Sequence, residues 1–380
     1  MTEVLQRTLP FFALGHWYLF LRWYLAFGRR PLFLLTLPWF VCMGIFPLLH
    51  AALPADGFAQ QAFAVTGQIW QPFAFFCIAV FAGFDALSLI AWGLRRLIPV
   101  CTFRPRLSSR PMLGLIFLFA CIFGYGLYEA RALKTTRLEI AVPNLPEGTS
   151  RLRLVFAADF HIGPQTGRNM LRHTVDAIQS EKPDCILLGG DMFDDAMRGT
   201  PDDVAELRRL SAPLGVYGVL GNHDAFGDWR RPEAMLREAG IRMLADESFV
   251  AGPLCILGLD DPKAREGKNT AAPNVTALAE TTAPASFIVL LEHRPRLRPE
   301  SAGLLNLQLS GHTHGGQLFF LEPFMRSSYG IPTGESTHGS PGKETRIVVT
   351  TGVGFSKLPI RLLTPPEIVV VDLVRPAASN

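Results

Sequence analysis

Five short segments in the C-terminal part of this chain each place a metal-binding type of side chain just after an apolar, strand-like run. The segments are Asp159-Phe160-His161, Gly190-Asp191 with Asp194, Gly221-Asn222-His223-Asp224, Glu292-His293 and Gly311-His312-Thr313-His314. Five of the nine histidines fall inside them, together with carboxylates and one asparagine. A single Asp-x-His triplet arises by chance, but five such segments in one stretch predict a hydrolytic site for two metal ions.

The kind of metal follows from the donor atoms. A mixture of carboxylate, imidazole and amide oxygen suits Mn²⁺, Fe or Zn²⁺ better than the all-oxygen sites typical of Mg²⁺ and Ca²⁺. We expect two divalent ions, with Mn²⁺ favoured and Fe or Zn²⁺ as alternatives. A carboxylate that bridges ions about 3.5–4 Å apart is suited to in-line displacement at phosphorus, because both ions lower the pKa of a water between them.

Alternating strand-like and helical stretches predict the elements that hold these segments. The expected strands are 152–157, 184–188, 216–220, 241–244, 254–257, 287–291, 307–309, 347–350 and 368–373, and the expected helices include 167–180 and 202–210. Strands that alternate with helices indicate an α/β fold, and the later runs add a mixed second sheet. Open α/β sheets place their ligands at the carboxyl ends of the strands, where the five segments fall.

Composition divides the chain into two parts. Residues 9–130 are dense in Phe, Leu, Trp and Ile, whereas the remainder has the composition of an α/β domain. We expect a membrane region at 1–130, a linker and entry strand at 131–150, and the catalytic domain at 151–380. The net charge of +3 is too small to indicate a nucleic-acid partner, and the six cysteines lack the paired spacing of a zinc knuckle or redox motif.

Three apolar segments, at 31–53, 66–94 and 111–128, are long enough to span a bilayer. A fourth, at 9–27, carries Arg22 in mid-run and is either another span or a helix lying in the membrane interface. Three or four transmembrane helices are therefore expected. Asp85 lies inside the 66–94 segment, where an acidic residue is either a functional group or the partner of an arginine within the helix bundle.

Charge in the loops predicts the orientation. Arginines concentrate at 95–110 and at 29–30, whereas the 50–63 loop has neither Lys nor Arg. The positive-inside rule puts the arginine-rich loops in the cytoplasm, so that the last span leads outward and the catalytic domain is extracytoplasmic. Arg131, Lys134 and Arg137 beyond that span favour the opposite orientation.

The five segments, in this order over residues 138–375, resemble the signature of the calcineurin-like metallophosphoesterases. The run Gly-His-Thr-His-Gly-Gly-Gln at 311–317 is similar to the bacterial YkuE/YaeI-like branch, as are Pro143–Pro146, Pro359–Arg361 and Pro365–Glu367. That branch has membrane-anchored members. The resemblance implies a four-layer αββα sandwich of two mixed sheets, preceded here by the helical transmembrane region. With the apolar segments and the charges of the loops, we expect a multi-pass protein of the bacterial inner membrane whose catalytic domain is periplasmic.

The resemblance also implies a ligand scheme. Asp159, His161 and His314 would bind one metal ion, and Asn222, His293 and His312 the other. Asp191 would bridge both ions. His223 would protonate the leaving oxygen and Asp194 would orient its imidazole, whereas Asp224 is interpreted as a turn or supporting residue and Arg294 as a candidate phosphate contact.

The expected function is that of a membrane-anchored phosphodiesterase. Hydroxide held between the metals would attack a phosphodiester or pyrophosphate, and the anchor favours a lipid-linked substrate. One alternative is a UDP-2,3-diacylglucosamine pyrophosphatase of lipid A synthesis, whose substrate is expected on the cytoplasmic face. The other is a non-catalytic membrane receptor or scaffold, which the complete ligand set and His223 disfavour.

Overall fold

The chain forms two structural units, Met1–Tyr125 and Gly126–Asn380. The computed structural model describes residues 2–27, 36–46, 48–49, 58–97, 109–163, 166–194, 199–280, 287–356 and 358–376. The division lies inside an apolar helix, whereas the sequence pattern places the end of the apolar region at residue 130. Each unit is described in turn.

The N-terminal unit is helical over its described residues. Its helices are α1 (Thr2–Phe27), α2 (Leu37–Gly44), α3 (Phe58–Leu97) and α4 (Ser109–Glu129), the last of which continues into the second unit. By length and composition, one stretch of the described helices, Phe73–Arg96, is able to cross a membrane, and Leu113–Glu129 is a shorter apolar helix. The expected 31–53 span is described only in part, because 31–35, 47 and 50–53 lie outside the described residues.

Asp85, the acidic residue of the 66–94 segment, has partners within this unit. Its carboxylate forms an ion pair with Arg22 and accepts a hydrogen bond from the Tyr18 hydroxyl at 2.6 Å. A buried or membrane-embedded charge is costly unless it is paired. The structure therefore favours the interpretation of Asp85 as the partner of an arginine.

The second unit contains two six-stranded sheets. In the first, the spatial order is β1-β12-β2-β3-β4-β5, with β1 (Lys134–Ala141), β12 (Glu367–Val374), β2 (Arg151–Ala157), β3 (Cys185–Leu188), β4 (Val216–Gly218) and β5 (Arg242–Met243). In the second, the order is β10-β11-β9-β8-β7-β6, with β10 (Gly334–Ser340), β11 (Lys343–Val349), β9 (Leu307–Ser310), β8 (Phe287–Glu292), β7 (Leu254–Leu259) and β6 (Glu247–Ala251). Both sheets mix parallel and antiparallel pairs.

Alternation of side chains along the strands explains the layers. Leu154 and Phe156 of β2 pack in the core that both sheets share, whereas Val155 and Ala157 face the opposite side and pack against helices. That helical layer comprises α5 (Gly167–Ser180), α6 (Pro201–Leu207) and α7 (Arg230–Glu238). Successive residues of a strand point to opposite faces, so each strand serves two cores.

The second sheet is covered in the same way. Its outer face packs against α9 (Val275–Glu280) through Val275 and Ala279. Two further helices, α8 (Pro262–Lys268) and α10 (Glu322–Tyr329), follow β7 and β9. The expected αββα sandwich is confirmed.

Arg153 on β2 and Asp372 on β12 form a bidentate ion pair at 2.8 Å through each nitrogen. This bond lowers the pKa of the Asp372 carboxyl. A depressed folded-state pKa stabilises the fold above the unfolded pKa, near 3.9, and this stability is lost as the pH falls through the folded-state value.

We expect Asp372→Asn to reduce the free energy of unfolding at pH 7 by on the order of 1 kcal/mol. The deficit should shrink below about pH 4 as the native carboxyl protonates. Thermal unfolding of the full-length protein in detergent, followed from pH 3 to 8, measures both effects. Glu335→Gln, which removes a half-exposed partner of Arg346, is the control and should change stability little. A deficit independent of pH would contradict the prediction.

Candidate metal centre

The candidate ligands lie on loops that follow the carboxyl ends of parallel strands in both sheets. Asp159 follows β2, Asp191 follows β3, and His293 directly follows β8. Main-chain hydrogen bonds join neighbouring loops, from Asp159 N to Gly190 O at 2.9 Å and from Gly311 N to His293 O at 2.9 Å. The loops of the two sheets meet where His312 N donates to the Asp159 carboxylate at 3.0 Å.

The backbone at this place is strained. Positive φ angles occur at five of the seven candidate ligands, namely Asp159 (57°), His161 (47°), Asp191 (51°), His312 (71°) and His314 (51°). A left-handed conformation costs a residue with a Cβ roughly 1–2 kcal/mol, and such strain concentrates at functional sites. The strained turns direct these side chains inward.

One group of donors contains Asp159, His161 and His314, whose ligand atoms all lie within 4.8 Å of one another. The Nε2 atoms of the two histidines are 3.1 Å apart. His314 Nε2 lies 3.8 Å from Asp159 Oδ1. All three side chains are buried.

A second group contains Asp191, His293 and His312. His293 Nε2 lies 3.1 Å from His312 Nδ1 and 3.3 Å from Asn222 Oδ1. The two groups meet at Asp191, because its Oδ2 atom is 3.2 Å from His293 Nε2 and 3.8 Å from His161 Nε2.

The orientation of the rings fits cation binding. His293 Nδ1 donates to Gly189 O at 2.8 Å, so its Nε2 atom faces the other donors. Two pairs of imidazole nitrogens face each other at 3.1 Å, and without a cation each pair must share one proton between its two lone pairs. Two cations would satisfy these lone pairs and neutralise the carboxylates. The donor set therefore fits the two divalent ions that the sequence predicts.

Electrostatics at the site are dominated by burial and by Asp191. Burial raises the pKa of Asp159 to about 6. Burial would also raise the pKa of Asp191, but the charge and hydrogen bond of His293, together with the charges of His161 and His223, lower that pKa. Burial would lower the pKa of His293, but the charge and hydrogen bond of Asp191, with the charges of Asp159 and Asp261, raise that pKa to about 10. A metal ion must displace this proton, so binding is expected to weaken as the pH falls.

Main-chain groups hold the two central carboxylates. His312 N donates to both oxygens of Asp159 at 3.0 Å, and His223 N donates to Asp191 Oδ1 at 2.8 Å. Gly221 has no side chain where a Cβ would collide with Asp191 Oδ1. The turn at Gly221 therefore requires glycine because the backbone approaches the shared carboxylate.

Asp224 holds the loops that carry the metal-binding residues through hydrogen bonds to their main chain. Its buried carboxylate accepts hydrogen bonds from Phe193 N and Gly221 N, both at 2.9 Å, and from Met192 N at 3.2 Å. Burial raises its pKa to about 6. The residue thus connects the loops after β3 and β4, in keeping with its interpretation as a supporting residue.

His223 and Asp194 are close, but the contact differs from the expected one. His223 Nδ1 donates to the main-chain carbonyl of Asp194 at 2.7 Å. The Asp194 carboxylate lies instead 3.6 Å from His161 Nδ1. The turn after Asp191 directs the Asp194 carbonyl toward His223, so the backbone rather than the side chain orients the imidazole.

Two residues at the site were not singled out from the sequence. The Tyr329 hydroxyl lies 2.6 Å from His312 Nε2, and no motif marks this tyrosine. Arg361 is fully buried and donates to main-chain carbonyls, including Thr351 O at 2.7 Å and Thr364 O at 2.9 Å, while its Nη2 lies 3.2 Å from His314 Nδ1. Its only sequence signal was its place in the Pro-Ile-Arg run.

Arg294, the candidate phosphate contact, forms an ion pair with Asp261. Its Nε donates to Asp261 Oδ2 at 2.6 Å and its second nitrogen lies 3.2 Å from Oδ1 of the same carboxylate. A bidentate pair of this kind holds the guanidinium in place. The structure thus assigns Arg294 to Asp261.

Comparison with known proteins agrees with the site. The family model for calcineurin-like phosphoesterases matches residues 152–316. An uncharacterized metallophosphoesterase of Aquifex aeolicus is 31% identical over 68% of this chain and 98% of its own length. YkuE of Bacillus subtilis, an uncharacterized metallophosphoesterase, is 31% identical over 66% of this chain and 89% of its own length. A transmembrane protein with metallophosphoesterase domain from Danio rerio is 29% identical over 70% of this chain and 63% of its own length.

The chain belongs to the calcineurin-like metallophosphoesterase family. It is a metal-dependent phosphoric ester hydrolase, and the family uses a dinuclear metal centre, for which the two donor groups are suited. Membrane association is consistent with the apolar helix Phe73–Arg96 and with relatives that are named transmembrane proteins.

We expect Asp191→Asn to remove more metal than Asp159→Asn. Because Asp191 contacts both donor groups, its loss should leave fewer than about one ion per chain, whereas Asp159→Asn should retain about one. Elemental analysis of the full-length protein after Mn²⁺ loading and desalting measures this ratio. Equal metal content in the two variants would contradict a shared carboxylate.

Tyr329→Phe tests the support of His312. Outer hydrogen-bond partners of metal-binding histidines typically contribute about 10–100-fold to metal affinity. We therefore expect about tenfold weaker binding of one of the two ions, measured by competition with a metal chelator. Ser327→Ala, on the exposed side of the same helix, is the control and should bind both ions normally.

Proposed function

We propose that this protein is a membrane-anchored, dinuclear-metal phosphodiesterase. In this proposal Asp159, His161 and His314 hold one ion, Asn222, His293 and His312 hold the other, and Asp191 is common to both. The observation that carries the proposal is the position of Asp191 Oδ2, within 3.8 Å of a histidine from each group. Mn²⁺ is favoured, with Fe or Zn²⁺ as alternatives.

When bound, the two ions supply electrophilic activation of the phosphoryl group and a hydroxide near neutral pH. The chain itself supplies the general acid. A carbonyl accepts hydrogen bonds only, so His223 carries a proton on Nδ1 toward Asp194 O. His223 also lines the cavity at the site. In its protonated form, His223 can donate the Nε2 proton to the departing alkoxide.

Charge supports a diester over a monoester. A monoester dianion benefits from an additional cationic side chain, and Arg294 is the nearby candidate. Burial and the charge of His293 lower the pKa of His312, and the charge of Arg294 adds a smaller contribution in the same direction. Because its guanidinium is paired with Asp261, its charge is already compensated. A diester carries a single negative charge and therefore needs less positive charge at the site than a monoester dianion does.

The cavity supports an amphipathic substrate. Its volume is about 490 Å³, and its polar lining residues include His161, His223 and His314. The apolar part of its wall consists of Leu318, Leu321, Phe324, Met325 and Leu358. This wall complements an acyl or prenyl chain, in support of a lipid-linked phosphodiester or pyrophosphate.

The same wall suits a UDP-2,3-diacylglucosamine pyrophosphatase, and sidedness separates the two functions. We propose a multi-pass protein of the bacterial inner membrane with its catalytic domain in the periplasm, on the positive-inside argument. Alkaline phosphatase fused after Asn380 should then be active, because it folds only outside the cytoplasm. A fluorescent protein that folds only in the cytoplasm is the complementary fusion. Activity of the second fusion alone would favour the pyrophosphatase.

His223→Gln tests the general acid. With a poor leaving group such as an alkyl alcohol, we expect kcat to fall by about 10²–10⁴, because the alkoxide must be protonated as it leaves. With p-nitrophenolate, which leaves without a proton, the fall should be much smaller. Steady-state rates of the full-length enzyme in detergent on the two diesters measure the difference.

Metal content measured in parallel is the control for this variant, and it should not change. An equal loss on both substrates would show that His223 acts elsewhere in the reaction. A wild-type protein that binds two ions but turns over neither diester would support the non-catalytic receptor or scaffold.

A further inference from the structure

An exposed row of large apolar side chains borders the metal centre, here called the apolar ridge. Its members and exposed fractions are Phe319 (51%), Phe320 (50%), Leu321 (38%), Phe324 (67%) and Leu363 (65%). The first three form a single helical turn that leads directly into α10. A cluster of this kind on the surface of a protein indicates an interaction site.

The ridge is one continuous surface. Phe319 N donates to Leu362 O at 2.9 Å, so the turn at 319–321 lies beside the 358–363 loop. Phe319 and Phe320 have ring centroids 5.5 Å apart, and Phe324 follows Phe320 by one helical turn. Leu363 thus adds to the same apolar face from the neighbouring loop.

The last turn of α4, residues 126–129, lies at this surface of the second unit. Arg361 N donates to Gly126 O at 3.0 Å, and Leu363 N donates to the Glu129 carboxylate at 2.6 Å. Gly126 lies so close to Ile360 and Leu362 that a Cβ would come within 3.3 Å of either side chain. The last turn of α4 is therefore fixed to the loop that carries Leu363.

Exposed residues on the elements that form this surface have the chemistry of a membrane interface. Tyr128, in the last turn of α4, is 70% exposed. Arg131, two residues beyond that helix, and Arg326 on α10 are also exposed. Tyrosines concentrate at the level of lipid headgroups, and arginines interact with headgroup phosphates.

The other side of the ridge forms the wall of the catalytic cavity. Leu321 and Phe324 line that cavity together with His161, His223 and His314. An apolar surface thus runs from the last turn of α4 to the metal centre. Aromatic and leucine side chains in such a position are suited to the boundary between headgroups and acyl chains.

We propose that the apolar ridge inserts into the lipid bilayer and holds the mouth of the catalytic cavity at the membrane surface. The occupant is the bilayer itself, because the last turn of the apolar helix α4 is hydrogen-bonded to the loop that carries Leu363. A lipid substrate then reaches the metals by lateral movement, with its acyl chain along Leu321 and Phe324. This delivery step rests on the proposed lipid-linked substrate, whereas the membrane contact does not.

Photocrosslinking tests the contact independently of activity. p-Benzoylphenylalanine replaces Phe320 in the full-length protein, which is reconstituted in nanodiscs of phosphatidylethanolamine and phosphatidylglycerol. Val250, on edge strand β6 and 51% exposed, is the matched control position. We expect phospholipid adducts, identified by mass, at position 320 and at least tenfold fewer at 250. Equal yields at the two positions, no lipid adduct at 320, or crosslinks there to a second copy of the chain would overturn the proposal.

Matched substrates test delivery. Phe319→Ser/Phe320→Ser changes two ridge residues that do not line the cavity, and Val250→Ser is the control. With phosphatidyl-p-nitrophenol in nanodiscs, we expect at least a tenfold lower kcat/KM for the double variant and an unchanged rate on soluble bis(p-nitrophenyl) phosphate. Equal effects on both substrates, or no effect on the lipid, would overturn the delivery step. If the wild-type protein hydrolysed neither substrate, the proposed phosphodiesterase activity would be refuted. The crosslinking result would then still decide whether the ridge contacts the membrane.

Discussion

A single buried carboxylate constrains the whole of the catalytic unit. Asp191 must lie between histidines from both sheets, with Oδ2 at 3.2 Å from His293 Nε2 and 3.8 Å from His161 Nε2. Its other oxygen accepts from His223 N. The turn at Gly221 leaves room for it, and Asp224 fixes the two loops on either side. Displacement of this one group would alter both donor groups together.

The sandwich makes this arrangement possible because its two sheets end at a common place. Each sheet supplies part of the ligand set, and neither has a complete set alone. The strained turns at Asp159, Asp191 and His312 persist because rigid, fully buried strands determine the conformation of the loops that follow them. The stability of the folded sandwich thus compensates for the unfavourable free energy of bringing several metal-binding side chains close together.

The surroundings of the centre combine two opposite environments. The histidines and carboxylates of the cavity are suited to binding cations. Leu318, Leu321 and Phe324, which also line the cavity, are suited to contact with an apolar group. A substrate with a phosphate headgroup and a hydrocarbon chain satisfies both sides at once. The end of the apolar helix α4, fixed to the 360–363 loop, lies beside the apolar part, which supports a common role for the helix and the ridge.

The alternation of strand-like and helical runs was sufficient to predict an α/β fold with a mixed second sheet and most of its strands, because apolar runs report burial directly. The four-layer αββα arrangement was implied by the family resemblance. The sequence pattern missed β6, in which only Ala251 is buried, and β10, whose residues Gly334–Ser340 are polar and mostly exposed at a sheet edge. It also did not find α10, which has no buried residues. Elements that bury little surface leave little hydrophobic pattern to detect. The predicted ends of some elements also differ from the observed ends: the strand expected at 216–220 is β4, Val216–Gly218.

By itself the sequence determined which residue types are available for metal binding, and the order of the five segments determined the family. Only the tertiary structure decided which atoms meet: that the Asp194 carbonyl rather than its carboxylate contacts His223, that Arg294 pairs with Asp261, and that Tyr329 and Arg361 support His312 and His314. The physical reason is distance along the chain. Residues 17 and 47 positions apart contact each other only after folding, and hydrogen-bond direction depends on backbone conformation that no single motif specifies.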